Sequence, residues 1–397
     1  MDTSSGGDSH ASGGAIVAGH ICLDVIPNLP MDEAATRFRP GTLAEIGPAT
    51  VATGGCVSNT GRALHQLGAP TRLLGKVGDD AFGSVVAAIL ARAGLADRLL
   101  ITSGAHTSYS VILSPPGRDR MVLHYPGAND TFVADDIPAG ALTGARLFHF
   151  GYPPLMRRMY EDGGMALVGV MRRARAAGLT TALDMAYPDP ASAAGHADWR
   201  GILAAVLPYV DVFVPSLEEV LVMLEPGRAA ELAGGSAALD AMPVERVSEL
   251  GDQLLALGAG IVGIKVGERG FYLRTASAER LAAAGPGIPR DHAVWAGREL
   301  WSTVFETRVV GTNGAGDATV AGFLYSLLHN MAPEDAITAA CAVGASSLEA
   351  SDATSGVVTW DQTRRRIAGG WARRRPVLGV GWMSSSRDGI WHGPRDR

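Results

Sequence analysis

Cysteine is scarce: Cys22, Cys56 and Cys341 stand far apart in a chain of 397 residues. Their odd number and wide spacing argue against a disulfide framework or a cysteine metal knuckle, and suit a reducing cytoplasm. The histidines, among them His20, His124, His149 and His292, show no HxxxH or HExxH spacing, so zinc is not expected. No apolar run approaches the ~20 residues that span a bilayer. The first 14 residues are rich in Gly, Ser and Asp without a basic n-region, and read as a loose tail, not a signal peptide. A net charge of -6 gives no reason to expect nucleic acid or an acidic membrane surface as partner. A GxxxxGK[ST] phosphate loop is missing. Gly258 to Lys265 comes nearest but lacks the Gly-Lys-Ser/Thr ending, and its GxGxxG match precedes a strand, the reverse of the dinucleotide order. No Ser or Cys has the setting of a nucleophile elbow, so covalent catalysis is unsupported.

What is present is an α/β pattern. At 47% hydrophobic and 19% charged, the composition fits a globular enzyme and not a disordered chain. Apolar strands at 15–19, 71–77, 146–150, 180–184, 210–214 and 261–266 alternate with helices at 59–67, 82–93, 165–177, 199–207, 217–224 and 247–257. Repeated βα units of this kind predict a mostly parallel sheet covered on both faces. Segments 22–53 and 105–126 are strand-like without helices. The second reads as a hairpin around Pro115-Pro116-Gly117, and together they suit a small accessory sheet or lid. The expected organisation is a tail over 1–14, one domain over 15–375 and a low-order tail over 376–397. The Ala/Gly/Pro-rich stretches 226–242 and 276–298 read as surface insertions. Arg364-Arg365-Arg366 and Arg373-Arg374-Arg375 read as a solvated helix end and tail.

The chemistry concentrates at Gly314-Ala315-Gly316-Asp317, directly before the apolar run 318–328. Val320, Phe323, Leu324, Leu327 and Leu328 recur at helical spacing, so the three small residues and the acid fall on a helix N-terminus. Free amides and the helix dipole make that end an anion site, and glycine lets a phosphate come close. A carboxylate beside a phosphate cradle is the minimal equipment for moving a phosphoryl group onto a hydroxyl. There Asp317 is expected to stay ionised and act as a weak base. Gly54-Gly55-Cys56-Val57-Ser58-Asn59 opens another helix; alone it is an ordinary loop with Ser58 or Asn59 as cap. With Asp24 at the end of the first strand it also makes a polyol site, because carboxylate and amide groups match sugar hydroxyls. Glu219, in Pro215-Ser216-Leu217-Glu218-Glu219, suits a first helical turn, and near a triphosphate it could hold Mg²⁺ through water. Lys265 to Gly270 is a strand end and hairpin turn, and Lys76-Val77-Gly78-Asp79-Asp80 a capped helix start.

In this order, the motifs resemble the ribokinase or PfkB family of carbohydrate and nucleoside kinases, from about residue 15 to 359. Gly311-Thr312-Asn313-Gly314-Ala315-Gly316-Asp317-Ala318 with Ala321-Gly322-Phe323 is similar to its C-terminal signature. Gly54-Gly55 to Asn59 with Leu67-Gly68 is similar to its N-terminal one, and Gly127-Ala128-Asn129 also falls in place. The resemblance implies a ribokinase-like three-layer α/β/α fold with a small β lid, and ATP-dependent phosphorylation of a hydroxyl. It implies Asp317 as base, the amides of Gly314, Ala315 and Gly316 as anion hole, and Asp24, Gly54, Gly55 and Asn59 toward the acceptor. Lys265, Gly267, Gly270, Thr312 and Asn313 would serve the nucleotide, and Glu219 the magnesium motif. Three departures stand out. Ser216 replaces the usual Asn of that motif, and Gly311 an acid linked to monovalent-cation binding, which puts K⁺ dependence in question. Cys56-Val57 replaces a Lys-Gly pair of ribokinase itself, which argues against ribose. The expected acceptor is a sugar. A nucleoside needs a base slot, for which Tyr109, Phe132 and Tyr152 are candidates, and a non-catalytic sugar- or nucleotide-binding regulator is a third reading. Lid strand edges suggest a homodimer.

Overall fold

The structure is a computed structural model that describes residues 13–29, 41, 43, 45–95, 99–113, 121–227, 236–376 and 378–397. Residues 1–12 of the tail expected over 1–14, the lid stretch 30–40, the turn at 115–117 and part of the 226–242 segment lie outside these residues, while Gly14 already belongs to the first strand.

Fifteen strands are described: β1 (Gly14–Gly19), β2 (Cys22–Asn28), β3 (Gly47–Gly54), β4 (Thr71–Gly78), β5 (Leu100–Thr102), β6 (Tyr109–Leu113), β7 (Met121–Tyr125), β8 (Ala145–Gly151), β9 (Thr180–Asp184), β10 (Val212–Phe213), β11 (Ile261–Lys265), β12 (Phe271–Thr275), β13 (Glu299–Ser302), β14 (Met383–Ser384) and β15 (Ile390–His392). Eleven form one sheet in the order β14-β15-β13-β12-β11-β10-β9-β8-β1-β4-β5, and four form a second in the order β3-β2-β6-β7. From β11 to β5 every neighbouring pair in the large sheet is parallel, and beyond β11 the pairing is antiparallel.

Strands buried on both faces need helices on both. One face packs Val17, Ala182, Val212, Ile261 and Leu273 against the helices Cys56–Leu67, Ala315–Leu328 and Pro333–Ser347. The other packs Ile16, Phe148, Leu183, Phe213 and Ile264 against the helices Met165–Ala176, Trp199–Val206, Leu217–Leu224 and Val244–Ala256. Alternate residues of β1 thus feed the two cores, as the two-residue strand period requires. The segments 22–53 and 105–126 meet in the small sheet, where β2 runs antiparallel to β3 and parallel to β6, and β6 and β7 pair as a hairpin.

Two expectations fail. The chain after Arg375 is not a low-order tail. β15 pairs with β13, Trp382 packs on Tyr272 and Trp301, and Asp396 accepts from Arg298 Nε and Glu299 N at 2.8 Å each. Strands of two and three residues are too short to show a period, so their apolar anchors vanish among polar neighbours. Residues 276–298 are not a surface insertion either. Their short helices Ala278–Ala282 and His292–Trp295 place Leu281 and Trp295 in the core, with Ala284 and Ile288 beside them. The second Arg cluster turns partly inward: the Arg373 guanidinium lies 4.1 Å from the centre of the Phe305 ring, and Arg374 pairs with Glu268.

Candidate active site

The Ala315–Leu328 helix starts at Gly314, whose φ of 70° lies in the left-handed region, and any side chain there would also strike Ala353. The turn therefore needs glycine. It leaves the first-turn amides at an open helix end, where Gly316 is exposed and Asp317 only 2% exposed. The Ala315 amide leans on the Thr312 carbonyl oxygen at 3.5 Å, so Thr312 and Asn313 form the turn that aims the helix. A Cβ on Gly316 would lie 3.8 Å from Lys265 Nζ, with nothing else so near outside its own helix. An ammonium group thus overlooks the anion site.

Asp317 is held by three donors. Asn59 Nδ2 reaches Oδ2 at 3.1 Å, the Tyr152 hydroxyl reaches Oδ2 at 2.8 Å, and Thr60 Oγ1 reaches Oδ1 at 3.0 Å. Burial pushes its pKa up, against the pull of Tyr152, Asn59, Lys265 and Thr60 toward the ionised form. The helix dipole favours the ionised form, and burial works against it.

Lys265 ends β11, Asp184 ends β9, and Lys265 Nζ donates to Asp184 Oδ1 at 2.6 Å. Burial raises the pKa of Asp184 against the attraction of Lys265. Burial also works against the Lys265 ammonium, but Asp184 and Glu219 outweigh it and raise its pKa. Glu219 has a structural task as well: its Oε2 accepts from the Ser216 amide at 2.7 Å while Ser216 Oγ accepts from the Glu219 amide. Ser216 is thus the first half of a capping box for the Leu217–Leu224 helix.

On the acceptor side, a Cβ at Gly54 would run into the Asp24 carboxylate, and one at Gly55, where φ is 83°, into His20. Gly55 is the helix cap. Ser58 instead bonds Thr53, leaving Asn59 free to serve Asp317. His20 Nε2 lies 3.3 Å from His124 Nε2, and His124 Nδ1 lies 3.1 Å from Ser110 Oγ. Burial lowers the pKa of the buried His20 ring well below its usual value, and that of His124 is lowered too. The small sheet thereby presents a polar face of Asp24, Ser110 and His124 beside the Gly54-Gly55 turn.

On the other side, Gly267 (φ 52°) and Gly270 (φ 114°) shape the β11–β12 hairpin, and Gly270 packs against the Ser302 carbonyl. The structure thus joins Asn59 to Asp317, Asp24 to Gly54, and Lys265 both to Gly316 and to the Ser216–Glu219 turn. Thr60 and Asp184 were not singled out by sequence reasoning, and Tyr152 was noted only as a candidate for a nucleoside base slot, not as a partner of Asp317. Only Asp184 and Tyr152 carried a signal, their place at the carboxyl ends of parallel strands.

A family model described as "pfkB family carbohydrate kinase" matches residues 16–360. The chain belongs to that family. Its PfkB relatives include fructokinase-2 of Zea mays, 28% identical over 302 residues that cover 75% of this chain and 76% of the relative. The 2-dehydro-3-deoxygluconokinase of Bacillus subtilis (strain 168) is 25% identical over 355 residues, covering 85% and 92%. The crystal structure of ribokinase from Thermotoga maritima matches with a TM-score of 0.65 at 18% identity, covering 89% of this chain and 99% of that one, which places the fold in the ribokinase-like class. As a PfkB kinase the protein is a phosphotransferase, and the family implies ATP as donor. The residues fit that donor. A helix N-terminus with an ammonium group over it suits phosphate, and the buried Asp184 Oδ2 has no partner within the protein. No group of three or more His, Cys, Asp or Glu side chains that could hold a metal occurs among the described residues. Glu219 and Asp184 are the nearby acids that would hold Mg²⁺ on bound phosphate, Glu219 through water.

Proposed function

We propose that this PfkB kinase transfers the γ-phosphoryl group of ATP to a hydroxymethyl group of a sugar. The observation that carries the reading is the buried Asp317 carboxylate, fixed by three donors in the first turn of an open helix end. Asp317 orients the acceptor hydroxyl and takes its proton as the O–P bond forms; phosphoryl transfer is mostly positioning and charge stabilisation. The amides of Gly314, Ala315 and Gly316 and the Lys265 ammonium stabilise the charge on the transferred group. Asp24, Gly54, Gly55 and Asn59 address the sugar, and Lys265, Gly267, Gly270, Thr312 and Asn313 the nucleotide. Bound Mg²⁺ would neutralise phosphate charge, with Glu219 reaching it through water. Closure of the small sheet as a lid limits wasteful hydrolysis by excluding water.

Sugar is favoured over nucleoside because the aromatic slot is depleted. Phe132 is fully buried against Phe150, Tyr109 packs on Phe82 and Tyr125, and the Tyr152 hydroxyl serves Asp317. A panel of fructose, ribose, 2-keto-3-deoxygluconate and adenosine with ATP, read as ADP release and phosphorylated acceptor, tests this. Turnover with adenosine alone overturns the sugar reading, and binding without turnover of any acceptor overturns catalysis. A homodimer through the lid is part of the proposal. Met121, Leu123 and Tyr125 of β7 are exposed, and sedimentation of a monomer would remove it.

A further inference from the structure

Tyr152 follows β8 in a left-handed conformation, φ 67° and ψ 43°, which a bulky side chain adopts only under constraint. That conformation accompanies a phenol hydroxyl aimed at Asp317 Oδ2, 2.8 Å away, while the ring lies 6.2 Å from the His20 ring. A carboxylate offers about four acceptor positions, two on each oxygen. On Asp317, Oδ2 is filled by Asn59 and Tyr152, whereas Oδ1 holds only Thr60. We propose that Tyr152 is a positioning residue for phosphoryl transfer: it closes Oδ2, fixes the carboxylate plane, and leaves the second position of Oδ1 to receive the acceptor's proton. This rests on Asp317 being the base.

The phenol is suited to the task. Burial, then the charges of Asp317 and Asp184, raise its own pKa, so it remains a donor at every working pH. The other titratable groups that face Asp317 are Lys265 from β11, Asp184 from β9 and Cys56 from the Cys56–Leu67 helix. Of these, Lys265 favours the carboxylate, the Asp184 carboxyl opposes it, and burial keeps Cys56 a neutral thiol. Removing the phenol's donated hydrogen takes away a stabilisation of the ionised form, so the Asp317 pKa must rise.

The test is Tyr152→Phe, with Tyr152→Met as a second variant of similar reach should the first disturb folding. The expected result is a fall of about tenfold in kcat with the KM for ATP unchanged within about twofold. The acid limb of the kcat/KM profile should move up by about one pH unit. A limb that stays in place overturns the proposal, even where kcat falls, because a purely structural tyrosine would scale activity without moving it. A ¹³C NMR titration of the Asp317 carboxyl in the ligand-free protein, assigned with Asp317→Asn, gives the same answer without turnover. An upward shift in Tyr152→Phe supports the role and an unmoved titration rejects it. If the unaltered protein phosphorylates no acceptor, the functional reading fails, while the titration still decides whether Tyr152 holds the carboxylate.

Discussion

Lys265 and Asp184 meet at 2.6 Å across the short strand β10, joining the ends of β11 and β9 beneath the anion site. Asp184 is fully buried and Lys265 nearly so. Removing one member of such a pair strands the other in a low-dielectric site. Lys265→Met should destabilise the protein by about 3 kcal/mol or more in urea unfolding, and the double variant Lys265→Met/Asp184→Asn should recover most of that loss. Neither should recover turnover, because the ammonium over Gly316 is gone in both. A fully active double variant would mean that the pair is structural only.

Asp317→Asn keeps the shape of the side chain and removes its basicity. Phosphorylation should fall by at least about a thousandfold, combining the loss of the base with misorientation of the acceptor. ATP affinity by calorimetry should change little. Substantial residual phosphorylation would remove Asp317 from its assigned role.

Gly55→Ala tests the acceptor turn. At φ 83° an alanine is strained, and its Cβ would press on the His20 carbonyl and ring. A loss of about 2 kcal/mol in unfolding free energy is expected, with a raised KM for the acceptor as Asn59 shifts. Unchanged melting and unchanged KM would show that the turn yields easily.

His149 lies fully buried in β8, and burial together with Lys265 lowers its pKa to about 3. In the unfolded chain its pKa is about 6.5. Between those values the unfolded state binds a proton that the folded state refuses. Stability from this group is therefore complete above about pH 6.5 and is lost as pH falls toward 3. His149→Phe should flatten the fall of melting temperature with pH in that window, by up to about 1.4 kcal/mol of unfolding free energy per pH unit. A parallel pH dependence in variant and parent would contradict the burial effect. His20, also buried, shifts in the same direction and adds to the slope.

Legibility followed local density of signal. β1, β8, β9 and β11 are apolar runs between helical periods, so they could be read in isolation. Gly314 to Asp317 is contiguous, and its helix follows at once. Thr60 and Tyr152 are single polar residues whose meaning depends on a partner at position 317, and no spacing rule links them. Asp184 differs from any acid at a strand end only because Lys265 lies across β10 from it. The upward shift of the Asp317 pKa was hidden for a related reason: the helix dipole is visible in sequence, but the depth of burial that opposes it is not. The strands at 383–384 and 390–392 are below the length at which a period can be counted.

The order of synthesis acquires a meaning from the position of β1. The first described strand to leave the ribosome lies between β4 and β8, so one of its edges stays unpaired until residues 145–151 have been made. Asn59 and the Asp317 it bonds are further apart in time: Asp24 and Asn59 emerge early, but Asp317 arrives after Asp184 and Lys265. A nascent chain therefore carries the Gly54–Asn59 turn without its carboxylate partner until most of the domain is out. At the far side of the sheet, the edge strand β14 is tied in only through β15, which pairs with β13 at residues 390–392.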